Sequence, residues 1–250
     1  MRLFLQKIIF FKLIVPIILL GLIYSDNASA APVSVCMGEK HPATWVGRYL
    51  LKNIYRHAGI EVEFIEYPNL RSLRTANNGG CDAEAYRFLK VTEKFTNLRA
   101  VPSPMGVMEG RAFVKKGSNI SVNSWNDLNE FNIAIVNGEI YAMQATEGRY
   151  RNVASSYKNL FNWLIYRDID VVIGMHIPSI WALAENKLTD QIEMLPTPLF
   201  SETVHHLVHK DKPDLAKQID AAIIDLQKQG LMDQYLAEAL AGLAAAETLE

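Results

Sequence analysis

Arg87 ends the run Gly80-Cys81-Asp82-Ala83-Glu84-Ala85-Tyr86-Arg87, whose Cys81 to Ala85 portion reads as a short strand. A guanidinium just past a strand end stands where ligands gather in open α/β sheets, and its planar fork takes a carboxylate or phosphate through two hydrogen bonds. The competing reading is an internal ion pair with Asp82 or Glu84 that fixes the loop. Arg71, near a predicted helix start, is a second candidate cation, with a plain surface charge as its rival. Tyr67, Tyr86 and Tyr141 supply rings and hydroxyls of the kind that line apolar pockets with a few polar groups. Tyr141 follows Gly138-Glu139-Ile140, a strand-to-helix turn whose free N–H groups suit an anion. Glu39, after the first strand, suits an amine, and His176 follows another strand end; for each the alternative is an ordinary solvated or packed side chain.

Cys36 and Cys81 are the chain's two cysteines. Neither has a Cys or His beside it at metal-ligand spacing, which argues against zinc. In an oxidising compartment an even pair reads as a disulfide, here closing a loop of about 45 residues and worth about 3–4 kcal/mol in the chain-entropy model. Two separate buried thiols are the alternative. His205, His206 and His209 invite a metal reading, but on a strand His205 and His209 share a face while His206 points away. The chain has no G-x-S-x-G elbow, no H-E-x-x-H and no phosphate-binding glycine loop, so no catalytic residue, metal or cofactor is assigned.

The elements that must position these residues alternate between strands and helices, which predicts an α/β fold with mostly parallel sheets. Val33 to Met37 alternates like a strand, and Thr44 to Ala58 carries Trp45, Tyr49, Leu50, Ile54 and Tyr55 at helical spacing. Glu61 to Glu66 is a second strand, Leu70 to Ala76 a second helix, and Cys81 to Ala85 a third strand. Right-handed crossovers place the third strand beside the first, which brings Cys36 near Cys81 on independent grounds. After Pro102-Ser103-Pro104-Met105-Gly106 the pattern restarts: strands at Arg111 to Val114, Asn132 to Val136 and Ile169 to Gly174, with helices at Ser156 to Tyr166 and Ile177 to Asn186. A short strand at Ile192 to Leu195 precedes a second proline-marked crossing at Pro196-Thr197-Pro198, and a strand follows at Glu202 to His209. Two helices, Pro213 to Gly230 and Met232 to Ala241, close the chain ahead of an Ala-rich tail. Two crossings divide such a chain into an outer lobe at 31–106 and 200–250 and a middle lobe at 107–199, the plan of a hinge.

Residues 1–30 have the order of a secretory signal peptide: Arg2, Lys7 and Lys12, an apolar run from Leu13 to Tyr24, and Ala28-Ser29-Ala30 before a cleavage point. The run is about twelve residues, short of the roughly twenty that span a membrane. Cleavage after Ala30, rather than a retained anchor, is the expectation, and the periplasm the expected location. Without residues 1–30, Lys and Arg fall from 25 to 22 and Asp and Glu from 27 to 26, a formal charge of −4 that argues against nucleic acid.

Taken in order, several segments resemble the family 3 extracellular solute-binding proteins, which have the type II periplasmic binding fold. Tyr67-Pro68-Asn69-Leu70-Arg71-Ser72-Leu73 with Gly80-Cys81-Asp82-Ala83-Glu84-Ala85-Tyr86-Arg87 is similar to the family's "P-x-x-R-x-L … G-x-D-x-E-x-x-R" run. Asn159 to Leu164 before Arg167-Asp168-Ile169-Asp170-Val171-Val172-Ile173 resembles its second-lobe segment, and Val204 to Lys210 leading into Pro213-Asp214-Leu215 its returning strand. The likeness spans about residues 33 to 240. It places the three histidines on the returning strand near a hinge, which weighs against a metal. It implies a monomeric clamp that closes on a small polar, anionic or zwitterionic ligand. The clamp would deliver that ligand to an inner-membrane ABC permease, or report it to a membrane receptor. A few proteins of the fold are dehydratases or lyases, a further alternative. The chain departs from the amino-acid binders at two places. Lys94 stands nearest to their carboxylate-gripping Arg, and Met175 nearest to the Asp that holds the α-ammonium, so an ordinary amino acid is not the expected ligand.

Overall fold

The computed structural model describes residues 31–39 and 41–244. The expected leader at residues 1–30 lies outside that range. The described residues form nine strands ordered β2-β1-β3-β9-β5-β8-β6-β7, with β4 also paired to β9. In lobe 1, β1 (Val33–Gly38) lies parallel between β2 (Val62–Tyr67) and β3 (Ala83–Arg87). The third strand is therefore beside the first, and Cys36 and Cys81 form a disulfide with Cα atoms 5.8 Å apart. Cys81 itself sits two residues ahead of β3, whose start falls later than the sequence pattern predicts.

Helix α1 (Pro42–His57) shows why this lobe forms as it does. His41 caps it, with Nδ1 accepting from the Ala43 N–H at 3.3 Å, and Pro42 opens the first turn. Val46, Leu50, Leu51 and Ile54 recur at helical spacing and are buried against Val35 and Met37 of β1. Cys36, pointing the other way from β1, joins Leu73 and Ala76 of α2 (Asn69–Asn77) under the opposite face. A one-turn helix α3 (Val91–Lys94) and a short strand β4 (Leu98–Ala100) follow, neither legible as apolar periodicity.

Lobe 2 is built from β5 (Gly106–Lys115), β6 (Ile133–Val136), β7 (Asn152–Ala154) and β8 (Val171–Met175). A 3-10 turn covers Trp125–Glu130, and the helices are α4 (Ile140–Ala145), α5 (Tyr157–Tyr166) and α6 (His176–Glu185). Phe113 and Val172 face one core layer while Ala112, Val114, Val171 and Ile173 face another. Burial on both faces explains why these strands read as unbroken apolar runs.

The proline-marked crossing at 196–198 is not a break. Ile192–His209 is one 18-residue strand, β9, that runs through both lobes. Its first part pairs with β5, from Lys115 opposite Ile192 to Gly106 opposite Val204; its end pairs with β3 and β4. The register shifts around Pro198, which faces Arg111, and here β9 is the sheet edge, where a residue without an N–H is tolerated. Arg111 makes good the irregular pairing by donating to the carbonyls of Leu195 and Pro196. The lobes are thus joined by a two-stranded antiparallel ribbon.

Helices α7 (Pro213–Lys228) and α8 (Leu231–Ala244) pack onto the lobe 1 core. Among the described residues, no helix is long and apolar enough to cross a membrane.

Candidate functional site

The direction of the strands fixes where a ligand can bind. In lobe 1 the parallel strands β1, β2 and β3 run toward the ribbon, Arg87 reaching the level of His205 on β9. In lobe 2, β8 is antiparallel to β5 and ends at Met175 opposite Gly110, with β6 alongside it. The carboxyl ends of both parallel sets therefore meet over the ribbon, the position where open α/β sheets bind ligands.

A cavity of about 540 Å³ opens there, lined by Glu39, His41, Thr44, Asn69, Tyr86 and Arg87 among others. Arg87 keeps 17 % of its side chain exposed and pairs with the fully buried Glu84, which also accepts from Ser72 Oγ at 2.6 Å. Its Nη2 donates to Asn69 Oδ1 at 3.2 Å, and its buried Nε has no partner among the described residues. Burial pushes the Glu84 carboxyl up to about 7 even though Arg87 and Ser72 pull it down. The two readings of Arg87 are therefore compatible: it is paired to Glu84 and it lines the cavity, with a donor to spare. Tyr86 packs against Gly47 of α1, where an added Cβ would come within 2.0 Å of the ring. Burial raises its hydroxyl to about 12, so it enters the site as a neutral donor or acceptor.

The lobe 2 side centres on a residue the sequence reading passed over. Glu139, three residues past β6, accepts from Tyr141 hydroxyl at 3.0 Å and from the Tyr157 hydroxyl. The Met175 N–H is shared between Glu139 Oε1 at 3.4 Å and the Tyr157 hydroxyl at 3.1 Å. Burial raises this carboxyl to about 7, with the Tyr141 hydroxyl and the Met175 N–H only partly offsetting it. The Gly138-Glu139-Ile140 turn, expected to suit an anion, holds the Glu139 carboxyl itself. An acid thus stands at Met175 after all, supplied from the neighbouring strand.

Phe88, beside Arg87, meets Phe200 of β9 edge-on at 6.3 Å; Phe200 packs on Tyr141 at 4.7 Å, and Tyr141 on Trp125 at 6.3 Å. This aromatic row connects Arg87's neighbour to Glu139's partner across the ribbon. Tyr141 lies against Gly110 of β5, whose missing side chain leaves room for the ring.

Of the seven predicted contacts, Glu39, Tyr86 and Arg87 line the 540 Å³ cavity, and His176 lines an adjoining one. Tyr67 lies under the exposed Arg71 guanidinium, 5.3 Å from its ring centre, and neither lines either cavity; nor does Tyr141. His41, Asn69 and Thr44 were missed, because a cap and two polar residues in the first turns of α1 and α2 carry no signal until the strand ends converge. His205 and His206 turn to backbone: His205 Nδ1 is 2.9 Å from Val101 O and His206 Nδ1 2.7 Å from Ala85 O. Burial holds His206 down to about 4, so the ring is neutral, donating to Ala85 and accepting from the Tyr55 hydroxyl at 2.8 Å. Among the described residues no cluster is arranged to hold a metal.

No family model and no curated protein matches the chain. Solved structures do. A histidine kinase sensor domain with similarity to periplasmic binding proteins aligns over 85 % of this chain and 97 % of its own, at 15 % identity and TM-score 0.60. The ligand-binding core of GluR0, in complex with L-glutamate, aligns over 85 % and 99 % at 12 % identity and TM-score 0.64. An amino acid ABC transporter substrate-binding protein, AbpA of Streptococcus pneumoniae bound to L-arginine, aligns over 85 % and 96 % at 16 % identity and TM-score 0.58. The chain has the type II periplasmic binding fold. In a periplasmic binding fold the space between strand ends is the interlobe cleft, and the 540 Å³ cavity is its lobe 1 half.

Proposed function

We propose that this chain is an exported, monomeric solute-binding protein of the family 3 type. It captures a small anionic or zwitterionic solute in the interlobe cleft and hands it to an ABC-type permease. The observation that carries this reading is the opposition of Arg87 and Glu139. A cation lining the cavity and a carboxyl stand at or just past strand ends in different lobes, joined by an aromatic row over a two-stranded ribbon. A ligand touching both lobes favours the closed form, because those contacts exist only there. Arg87 suits the ligand's carboxylate or phosphate; Glu139 restores the anion that an ammonium group would need, which reopens zwitterions as ligands. The role is binding without turnover.

A thermal-shift panel of amino acids, polyamines, dicarboxylates, phosphorylated compounds and aromatic acids tests it on ligand-stripped protein. One anionic or zwitterionic class should stabilise the fold, by about 2.7 kcal/mol at a hundredfold excess over Kd, and be recovered unaltered. Stabilisation by none of them would sink the reading. The sensor-domain neighbour favours a second use of the same clamp, docking on a membrane receptor. Co-purification with a permease or with a receptor separates the two.

A further inference from the structure

A second cavity of about 350 Å³ lies directly behind the polar one. The two share Ala43, Tyr86, Met108 and Val204 as common walls, so Tyr86 is the partition between them. Their chemistries differ. The first cavity is lined by Arg87, Asn69, Thr44 and Glu39, whereas the second, a chamber, is walled mainly by Val46, Leu50, Met105, Ile177, Met232 and Leu236, with Glu109, Gln227 and Asp233 among its polar members. Met105, Met108 and Met232 supply flexible thioether walls that adapt to an occupant's shape. The chamber also joins the lobes: α1 and α8 come from lobe 1, Met108 from the ribbon, and His176 and Ile177 from the start of α6 in lobe 2.

Resting on the reading that the cleft holds a solute, we propose that the chamber receives that solute's hydrocarbon portion. The preferred ligand is then an amphipathic anion, a carboxylate with an aliphatic or aryl tail, its head at Arg87 and its tail passing Tyr86. A compact polar amino acid would leave a chamber of this lining filled only with water or nothing, and would forgo the apolar burial available there. Gly47 leaves the space beneath Tyr86 that any larger residue would take, so the partition can sit against α1 while the tail passes. A tail touching Ile177 and Leu236 together also adds to closure, since these residues belong to different lobes.

The test is the affinity of straight-chain monocarboxylates from acetate to octanoate, by calorimetry, for the unaltered protein and for Ile177→Trp and Leu236→Ala. Affinity should rise about fourfold for each buried methylene and then level off. Ile177→Trp, which fills the chamber, should flatten the rise while leaving acetate binding unchanged. Leu236→Ala, which enlarges it, should move the plateau to longer chains and serves if the Trp variant does not fold. Short anions bound with no dependence on chain length would overturn the tail site and leave the cleft reading standing. So would a rise equally steep in all three proteins, since the tail would then lie elsewhere. Failure of every anion, short or long, would overturn both.

Discussion

Glu84 in lobe 1 and Glu139 in lobe 2 are both buried carboxyls raised to about 7, yet they are held in opposite ways. Glu84 is fully buried and faces a guanidinium; Glu139 is half-buried and faces only neutral donors, two tyrosine hydroxyls and one N–H. That the paired acid is no more acidic than the unpaired one shows that complete burial can cancel a charge partner. The arms that carry them differ too. Strand β1 is tied to the chain just ahead of β3 by the Cys36–Cys81 disulfide, whereas β6 and β8 are held by backbone pairing and by Glu139 itself. Lobe 1 therefore presents a stapled, charge-balanced surface, and lobe 2 an acid held by neutral donors.

Breaking the staple should give the largest effect. Cys36→Ser with Cys81→Ser should cost about 3–4 kcal/mol for a loop of this length, and hydrogen exchange should quicken in β1 and β3 while β6 and β8 keep their protection. Uniform loss of protection across both lobes would erase the distinction drawn between them.

Arg87→Met should come next, lowering stability by about 3 kcal/mol at pH 8 because it strands a buried carboxylate. Glu84 already sits above its unfolded value, so its favourable contribution is complete below about pH 4.5 and is lost as pH rises through 7. Removing Arg87 moves Glu84 further up, and the variant's deficit should be distinctly smaller at pH 5 than at pH 8. Denaturant unfolding at the two pH values checks this; an equal deficit would mean that Arg87 acts through packing alone.

The smallest effect has the opposite sign. Glu139→Gln removes a charge that is costly to bury and should stabilise the ligand-free protein by about 2 kcal/mol at pH 8. Below about pH 4, where Glu139 is protonated both folded and unfolded, the variant should match the parent. A destabilised Glu139→Gln protein at pH 8 would mean that the ionised carboxylate holds Tyr141, Tyr157 and the end of β8 in place.

How far the sequence reaches can be judged element by element. Helical spacing from Trp45 to Tyr55 was legible because one face of the helix is buried and the other is not, and Val33 to Met37 because Ser34 breaks an otherwise apolar strand. Strands β6 and β8 were legible for the opposite reason, since burial on both faces leaves an apolar run. The joining of Ile192–Leu195 and Glu202–His209 into one strand was not legible, because prolines at an edge are tolerated only once the neighbouring strand's absence is known. Arg87 and Tyr86 could be singled out by their place at a strand end, the strand itself running on to Arg87. Glu139 could not, as nothing local distinguishes it from the chain's other carboxyls.

By itself the sequence determined the alternation of strands and helices, the pairing of Cys36 with Cys81 and the position of Arg87 at a strand end. These depend on local periodicity and on the handedness of crossovers, which are properties of neighbouring residues along the chain. Only the tertiary structure decided that β5 and β9 form the ribbon, that Tyr86 lines two adjoining cavities, and that Glu139 stands at the end of β8. Burial and desolvation set each of these, and both depend on what packs against a residue from elsewhere in the fold.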